Sequence, residues 1–520
     1  MSIKITQIKD YIIEVSGENK LMINEIIKFK NGTRGIVMKA TTNKAYISML
    51  DISVNNPLNM GDEIEPTKKE FSIEFTENIL GNIINVEGDL LTTYENAELT
   101  SVKTTTRPVF RLARPIYSRD FIDAPLQTGL SSVDWAIPIG LGQRELILGD
   151  RQTGKTSIAL NAILAQKETG VKTVYVAIGQ KKTTILDIYE KLRKFGMLDK
   201  VVVVSASADQ TATKKYLAPY VGVTIAEYFQ EKYGDDVLVI YDDLSKHADA
   251  YRELSLLMKS APAREAYPGD IFYLHSKLLE RAGRFNEDFG NGSITALPIV
   301  QTEAGDITSY IPTNVISITD GQIFTSKKLF NSGHRPAIDI PYSVSRVGST
   351  AQTKSLSSVS GGLKLTVSQY EEAMKMVRLS GEVSEENADI IESGKVLMAL
   401  LTQPEADVLD YNTGTLLLFL FKKKYLNFFE KKDEVIYIKN ILNKYLLEDF
   451  IGKKIREIII ERKIEEENFI LILREIILPM IKHYLLKTYS YLRKNEKFYE
   501  LYKDIRDDGR VLNAITRKEI

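Results

Sequence analysis

The chain has 520 residues, 44% of them hydrophobic and 26% charged, as in ordinary soluble globular proteins, and this length predicts more than one domain. Its 68 lysines and arginines balance 69 acidic residues to a net charge of −1, which excludes the overall basic character of many nucleic-acid-binding proteins. With no cysteine, the chain has no disulfides, thiolate metal sites or cysteine nucleophiles, and it suits a reducing compartment.

Two stretches bear on membrane insertion and targeting. The start, MSIKITQIKD, has no apolar core after its charges, so we expect no secretory signal. The apolar stretch 469–481 contains Arg474, Glu475 and Pro479, and it is too short and too charged to span a bilayer. Any membrane association is therefore expected to go through partner proteins.

Residues 1–70 are predicted to form a small β barrel. Short β-rich runs separated by glycine-containing turns lie at 11–15, 25–29, 35–39 and 44–50. Residues 71–126 mix hairpin-like pieces with a Thr/Pro-rich stretch at 104–108, and they are predicted to connect the barrel to the next domain.

Residues 127–350 alternate apolar strands with helices. Strands are predicted at 145–148, 172–178, 201–205, 237–241, 295–300 and 315–319, and helices at 184–195, 211–233 and 245–260. This order predicts a mostly parallel sheet covered by helices, with ligands at the carboxyl ends of its strands. Residues 351–520 predict a helical domain, with helices at 370–379, 388–401, 435–450, 453–462 and 469–489. The fold class is therefore multidomain α/β.

A phosphate-loop motif lies between a predicted strand and a predicted helix. It fits G-x-x-x-x-G-K-[ST] and consists of Gly149, Asp150, Arg151, Gln152, Thr153, Gly154, Lys155 and Thr156. The two glycines let the backbone amides curl around an anion at the positive end of the helix dipole. Lys155 can meet the outer phosphates, and the Thr156 hydroxyl can bind Mg²⁺. The motif predicts nucleoside triphosphate binding.

The strand at 237–241 ends in two acids, Asp242 and Asp243. A carboxylate at this place in a P-loop protein holds Mg²⁺, usually through water, and Asp242 is the first choice. The alternative is that the acids cap the helix that begins near Ser245, a role that suits Asp243.

Gln180 follows the strand at 172–178, a strand that we expect to lie beside the phosphate loop. A residue here would activate water, but a carboxamide can only orient water and cannot accept its proton. Gln180 therefore predicts weak or absent turnover, unless it is merely a polar residue that closes the strand.

Arg346 lies among small residues after the last predicted strands. It is either an ordinary surface arginine or an arginine finger, a fixed charge that reaches a transferring phosphate. The histidines, His247, His275, His334 and His483, show no metal-ligand spacing and are interpreted as polar or core residues.

Several segments closely resemble the alpha subunit of F-type rotary ATPases. They are 127–157, 174–182, 240–257, 264–282, 294–324 and 343–354. The resemblance implies a RecA-like P-loop domain between a β barrel and a helical domain. It also implies an alternating hetero-hexamer with a beta-type catalytic subunit around a rotating central shaft, peripheral to the membrane on its cytoplasmic side.

The resemblance also implies roles for single residues. Residues 149–156 hold the phosphates of ATP or ADP, Thr156 and Asp242 serve Mg²⁺, and Gln180 stands where the catalytic partner has glutamate. Arg346 matches the finger that enters the neighbouring beta-type site. Arg335, Pro336 and Gln403 match the adenine-side wall of the nucleotide site. Ser317 matches a residue that lines the subunit interface.

The sequence also departs from this family. The first residues run almost directly into strand-like sequence without the usual helical extension, and segment 282–293 is short. Ala263 stands where the family usually has glycine, and the tail after Gln403 is long and rich in Lys, Ile and Tyr. These departures affect surfaces that connect the head to a stalk or membrane sector, whereas the nucleotide motifs are intact.

Three functions therefore stay open at this point. The chain is the alpha subunit of a proton-coupled ATP synthase or ATPase, or the same subunit in a specialised motor whose hydrolysis drives something else. The third alternative is a hexameric RNA helicase of the termination-factor type. The balanced charge and the segments around Gln180 and Arg346 argue against this helicase and against nucleic acid as a partner.

Overall fold

The computed structural model describes residues 3–17, 21–51, 57–92, 103–382, 385–427, 429, 431–461 and 477–488. The protein divides into two compact units. Unit 1 consists of Met1–Ile122 and Leu141–Lys327, and unit 2 consists of Asp123–Gly140 and Lys328–Ile520.

The strands and helices of the described residues are numbered in sequence order. The strands are β1 Ile3–Lys9, β2 Ile12–Ser16, β3 Ile26–Lys28, β4 Arg34–Ala40, β5 Lys44–Met49, β6 Glu63–Ile64, β7 Ser72–Thr76, β8 Ile83–Ile84, β9 Thr104–Pro108, β10 Leu146–Gly149, β11 Lys172–Gln180, β12 Val201–Ser207, β13 Asp236–Asp242, β14 Gly283–Arg284, β15 Ser293–Gln301, β16 Gly321–Thr325 and β17 Val344–Ser345. The helices are α1 Ser131–Ala136, α2 Lys155–Ala165, α3 Lys182–Lys194, α4 Ala212–Tyr233, α5 Leu244–Leu257, α6 Ile271–Leu279, α7 Tyr310–Ile318, α8 Lys327–Asn331, α9 Lys354–Ser360, α10 Leu363–Ser380, α11 Glu385–Leu400, α12 Tyr411–Lys422, α13 Lys432–Glu448, α14 Phe450–Glu461 and α15 Leu478–Thr488.

Unit 1 begins with an antiparallel sheet in the order β3-β4-β5-β2-β1-β6. The sheet curls into a nearly closed barrel, because Glu25 bridges Glu70 beside β3 and the Ile26 amide donates to the Lys69 carbonyl at 2.9 Å. Strands β2 to β5 confirm the four predicted runs. Strand β1 was not predicted, although its buried Ile3 and Ile5 alternate with an exposed residue.

The second sheet of unit 1 is parallel in the order β16-β10-β15-β13-β11-β12-β8, and short β14 pairs antiparallel with β15. Its middle strands are buried along nearly their whole length, as expected for a sheet covered on both faces. Helix α4 packs against β11, β12 and β13, which confirms the predicted α/β layering. The two-stranded pair β7–β9 is antiparallel.

Two predictions about this sheet are wrong. Residues 315–318 belong to helix α7 and Thr319 is its C-cap; the buried Ile311, Val315 and Ile318 follow the helical period, and the strand comes later as β16. In addition, β11 does not lie beside the phosphate-loop strand β10, because β15 and β13 lie between them. Sequence order alone does not fix strand order, since late strands can insert beside early ones.

Unit 2 is mainly helical, as predicted for the C-terminal domain. Helix α12 is buried almost all round, from Tyr411 to Phe421, and it contacts α9, α11, α13 and α14. Helices α10, α11, α13 and α14 confirm four predicted helices, whereas residues 462, 469–476 and 489 of the last two predicted helices lie outside the described residues. Among the helices described here, none is long and apolar enough to cross a membrane.

Candidate nucleotide site

The phosphate loop lies between β10 and α2 of unit 1, as the motif predicts. Strand β10 ends at Gly149, where an added Cβ would lie 2.0 Å from the Thr325 hydroxyl oxygen and 2.5 Å from the Thr325 carbonyl oxygen on β16. Only glycine therefore fits at this position, where the backbones of β10 and β16 lie side by side. Gly154, with φ of 90°, is the N-cap of α2, so the loop turns into the helix in the left-handed region.

Hydrogen bonds hold the loop in place. The Thr153 hydroxyl donates to the Asp150 carbonyl at 2.8 Å and lies 2.6 Å from the Thr325 hydroxyl. One Asp150 carboxylate oxygen accepts from the Thr302 hydroxyl and from the Gly305 amide, each at 2.7 Å. Sequence reasoning did not find Thr302 and Thr325, whose contribution depends on β15 and β16 lying beside β10.

Lys155 points into the hollow of the loop. Its ammonium donates to the Gly149 carbonyl at 2.8 Å and to the Asp150 carbonyl, and the residue is only 9% exposed. Burial lowers the pKa of Lys155, and the carboxylates of Asp243 and Asp242 oppose that shift. The lysine is therefore held as a compact donor at the place where the motif puts the outer phosphates.

Asp242, at the carboxyl end of β13, joins the predicted residues into one cluster. One of its oxygens accepts from the Thr156 hydroxyl at 2.9 Å and from the Tyr175 hydroxyl at 2.7 Å, and the other accepts from the Gln180 amide at 3.0 Å. The cluster forms although β10 is not a neighbour of β13 or of β11 in the sheet. Thr156, in the first turn of α2, reaches across β15 to Asp242.

Tyr175 was missed by sequence reasoning. It lies within β11 and looks like one more apolar strand residue, so no local signal marks it. Burial, together with the neighbouring Asp242 charge, raises the pKa of Tyr175 well above its ordinary value. The phenol therefore stays protonated and serves as a fixed donor that orients the Asp242 carboxylate.

Asp243 has the other role that the sequence suggested. Its carboxylate caps α5 by accepting from the Lys246 amide at 2.9 Å. Burial and the adjacent Asp242 charge raise the Asp243 pKa to about 6. The two acids thus have different roles. Asp243 caps α5, and Asp242 faces the phosphate loop.

The residues present fit a magnesium ion bound with a nucleotide. Thr156 and Asp242 bring a hydroxyl and a carboxylate oxygen within 2.9 Å, and Mg²⁺ prefers oxygen ligands. Among the residues with a described position, no group of three or more His, Cys, Asp or Glu side chains forms a metal cage. Mg²⁺ bound with a nucleotide usually has one or two protein oxygens as ligands, while phosphates and water supply the rest.

Replacing Asp242 by asparagine tests the magnesium assignment. We expect the affinity for Mg-ATP to fall roughly 10–100-fold, because the amide keeps the shape but loses the charge that attracts Mg²⁺. Binding of ATP in EDTA should change little. Titration calorimetry of the purified protein measures both, with Asp187→Asn on the exposed face of α3 as the matched control. An equal loss with and without magnesium would contradict the assignment.

The other predicted site residues occupy separate places. In unit 2, the Gln403 backbone amide donates to the Arg335 carbonyl at 2.7 Å, and the Arg335 guanidinium stacks 3.5 Å from the centre of the Phe330 ring. Pro336 follows Arg335 directly. The buried Gln403 carboxamide bonds to Ser131, Gly129 and Asp407, so it also fixes the loop that carries it.

Arg346 and Ser317 lie at exposed positions of their own units. Arg346 follows β17 in unit 2, where the Ser345 hydroxyl donates to the Pro138 carbonyl at 2.6 Å and accepts from the Gly348 amide at 3.2 Å. These bonds anchor the backbone on both sides of Arg346. Ser317 lies on α7 in unit 1, where its hydroxyl donates to the Thr313 carbonyl at 2.9 Å.

Comparisons with known proteins find relatives over most of the chain. The nucleotide-binding domain of the ATP synthase alpha/beta family matches residues 129–345, and the C-terminal domain of the ATP synthase alpha/beta chains matches residues 352–477. The protein is 42% identical to an ATP synthase subunit alpha of Mycoplasma capricolum subsp. capricolum, over 95% of its own length and 91% of that relative. It is 45% identical to that subunit of Mycoplasmoides gallisepticum (87% and 86% covered) and 44% identical to that of Staphylococcus aureus (81% and 83%).

Proposed function

Because the chain belongs to the ATP synthase alpha/beta family, we propose that it is the alpha-type, mainly non-catalytic nucleotide-binding subunit of an F-type rotary ATPase head. It binds Mg-ATP at its own phosphate loop and supplies Arg346 to the catalytic site of a neighbouring beta-type subunit. The two subunit types alternate in a hetero-hexamer around a central shaft, and rotation of the shaft couples to ATP synthesis or hydrolysis. The head is attached peripherally to the cytoplasmic face of a membrane through partner proteins.

The observation that carries the non-catalytic role is the cluster around Asp242. The residue there that could act on water is Gln180, and its amide is already engaged with Asp242 at 3.0 Å. A carboxamide cannot take the proton of an attacking water, so the cluster supports nucleotide binding better than turnover. The adenine-side role of Arg335, Pro336 and Gln403 and the interface role of Ser317 stay part of this proposal.

Isolation of the intact complex tests the assembly. The protein is tagged in its native cell, the complex is isolated gently, and its subunits are identified by mass spectrometry. We expect a beta-type subunit in equal amount and a shaft subunit. Peripheral-stalk and channel-ring subunits would support coupling to proton transport, and their replacement by unrelated proteins would favour a specialised motor. Recovery without a beta-type subunit would contradict the proposal.

The isolated subunit is expected to hydrolyse ATP slowly, and Gln180→Glu alone should not make it fast. The new carboxylate would lie against Asp242, and the arginine that a neighbour supplies to such a site would still be missing. Phosphate release by the purified wild type and variant measures this, and Gln166→Glu, at a buried position next to α2 and away from the cluster, controls for a buried charge. Turnover by the single variant as fast as by the assembled complex would refute the expectation.

A further inference from the structure

A cleft of about 290 Å³ opens in unit 2 between α10, α11 and the start of α13. It lies near the lower end of the range for small-molecule sites, which is about 300–1,000 Å³. We call it the α10–α11–α13 cleft, and the side chains that characterise it are His334, Tyr370, Lys395, Phe429, Lys431 and Lys432. None of its lining residues belongs to the phosphate loop or to the Asp242 cluster.

The cleft concentrates positive charge. Three lysines line it, and no aspartate or glutamate is among the lining residues. Within the part of the protein that the structure describes, neither Lys395 nor Lys432 forms an ion pair, and both side chains are exposed at the rim. The positive charges of Lys395 and Lys432 on one cleft repel each other, so an anion in the cleft would relieve that repulsion.

Aromatic rings form the walls of the same cleft. The Tyr370 ring lies against the backbone of α11 at Gly394, where an added Cβ would be 2.1 Å from the nearest ring atom. A glycine in the interior of a helix weakens that helix, and here it makes room for the ring. Phe429 is buried on the α13 side, and Val396 and Val435 add further apolar surface. The cleft thus offers apolar walls beneath a cationic rim.

His334 adds a polar group to the lining. Burial lowers the His334 pKa to about 4, and the charges of Lys432 and Arg335 act in the same direction. At neutral pH the ring is therefore uncharged, and in the described structure its nitrogens make no hydrogen bond. A neutral imidazole can donate one N–H to an anion held by the neighbouring lysines.

We propose that the α10–α11–α13 cleft binds a small organic anion. The planar apolar part of the ligand lies against Tyr370 and Phe429, and its phosphate or carboxylate group lies between Lys395, Lys432 and His334. Such a ligand needs cationic groups, aromatic groups and a neutral hydrogen-bond donor. All three line this one cavity. None of the lining residues is among those assigned to the proposed nucleotide site, and this proposal does not depend on that assignment.

Phenyl phosphate and benzoate are the two probes, and they distinguish a phosphate from a carboxylate ligand. Their binding to the full-length protein is measured by titration calorimetry with saturating Mg-ADP, so that the phosphate loop is occupied. We expect one of them to bind and neutral benzyl alcohol not to bind. The Lys395→Ala/Lys432→Ala variant should weaken binding roughly tenfold or more, because charge-assisted contacts are lost. Lys453→Ala/Lys454→Ala removes the same charge from the exposed face of α14 and should have no effect.

The imidazole of His334 provides a second readout that does not depend on charge variants. Its pKa, followed by NMR of the histidine rings with His334→Gln for assignment, should rise when the bound probe is present, because an adjacent anion favours the protonated ring. Failure of both probes to bind would overturn the proposal. Equal binding by both double variants, or a His334 pKa that does not move, would place the anion elsewhere and overturn it as well.

Discussion

Replacement of Arg346 by alanine is expected to slow ATP hydrolysis by the assembled complex by about 10³-fold or more. A guanidinium that enters a neighbouring site stabilises charge that spreads over the transferring phosphoryl group, and its planar fork matches phosphate geometry better than a lysine does. Mg-ATP binding by this subunit itself should stay unchanged, because Arg346 is not among the residues assigned to its own nucleotide site, where Thr156 and Asp242 are linked to each other.

The structure makes this substitution a clean test. The bonds of Ser345 to Pro138 and Gly348 hold the backbone around Arg346, whose side chain is exposed. The variant should therefore fold and assemble. Steady-state hydrolysis by complexes reconstituted with the wild type, Arg346→Ala and Arg346→Lys separates shape from charge, since lysine restores a cation but not the planar fork. Arg378→Ala, at an exposed position on α10, is the matched control. Normal turnover in a correctly assembled Arg346→Ala complex would remove the finger assignment.

The sequence predicted those features that depend on local chemistry. The strand–loop–helix of the phosphate loop, the start of α4 near Thr211 and the choice of Asp243 as a cap each require only a few neighbouring residues, and the structure contains them. The barrel strands β2 to β5 are likewise set by short β-rich runs between turns. Patterns within about ten residues are therefore sufficient for much of this fold.

The wrong and missed predictions concern residues whose structure depends on contacts with residues that are distant in the sequence. The run at 315–319 is rich in β-branched residues and looks like a strand, but the burial of Val315 and Ile318 together with Ile311 makes it one face of a helix. Helix α12 was missed because it is buried nearly all round and so has no polar face to give a period. Tyr175 and Thr325 enter the site only through the strand order, which local patterns do not determine.

Replacement of Lys155 by alanine is expected to weaken Mg-ATP binding by this subunit by at least about 100-fold. The ammonium is buried and held by the Gly149 and Asp150 carbonyls, so it is already positioned where the outer phosphates would arrive. Hydrogen bonds to charged groups contribute about 1.5–3 kcal/mol each, and each 1.4 kcal/mol corresponds to about tenfold in affinity. Loss of two such contacts predicts a fall of at least about 100-fold.

The same substitution also distinguishes an effect on nucleotide binding from an effect on folding. Alanine leaves two loop carbonyls without their donor, yet water can reach them once the lysine is gone, and alanine suits the first turn of α2. The variant should therefore keep its thermal unfolding midpoint without nucleotide but lose the rise in that midpoint when Mg-ATP is added. Lys194→Ala, at the exposed end of α3, should keep the full rise. If Lys155→Ala also kept the full rise in the unfolding midpoint, the phosphates would not lie in this loop. The magnesium role of Asp242 would then be contradicted as well, because that role depends on Thr156, the last residue of the phosphate-loop motif.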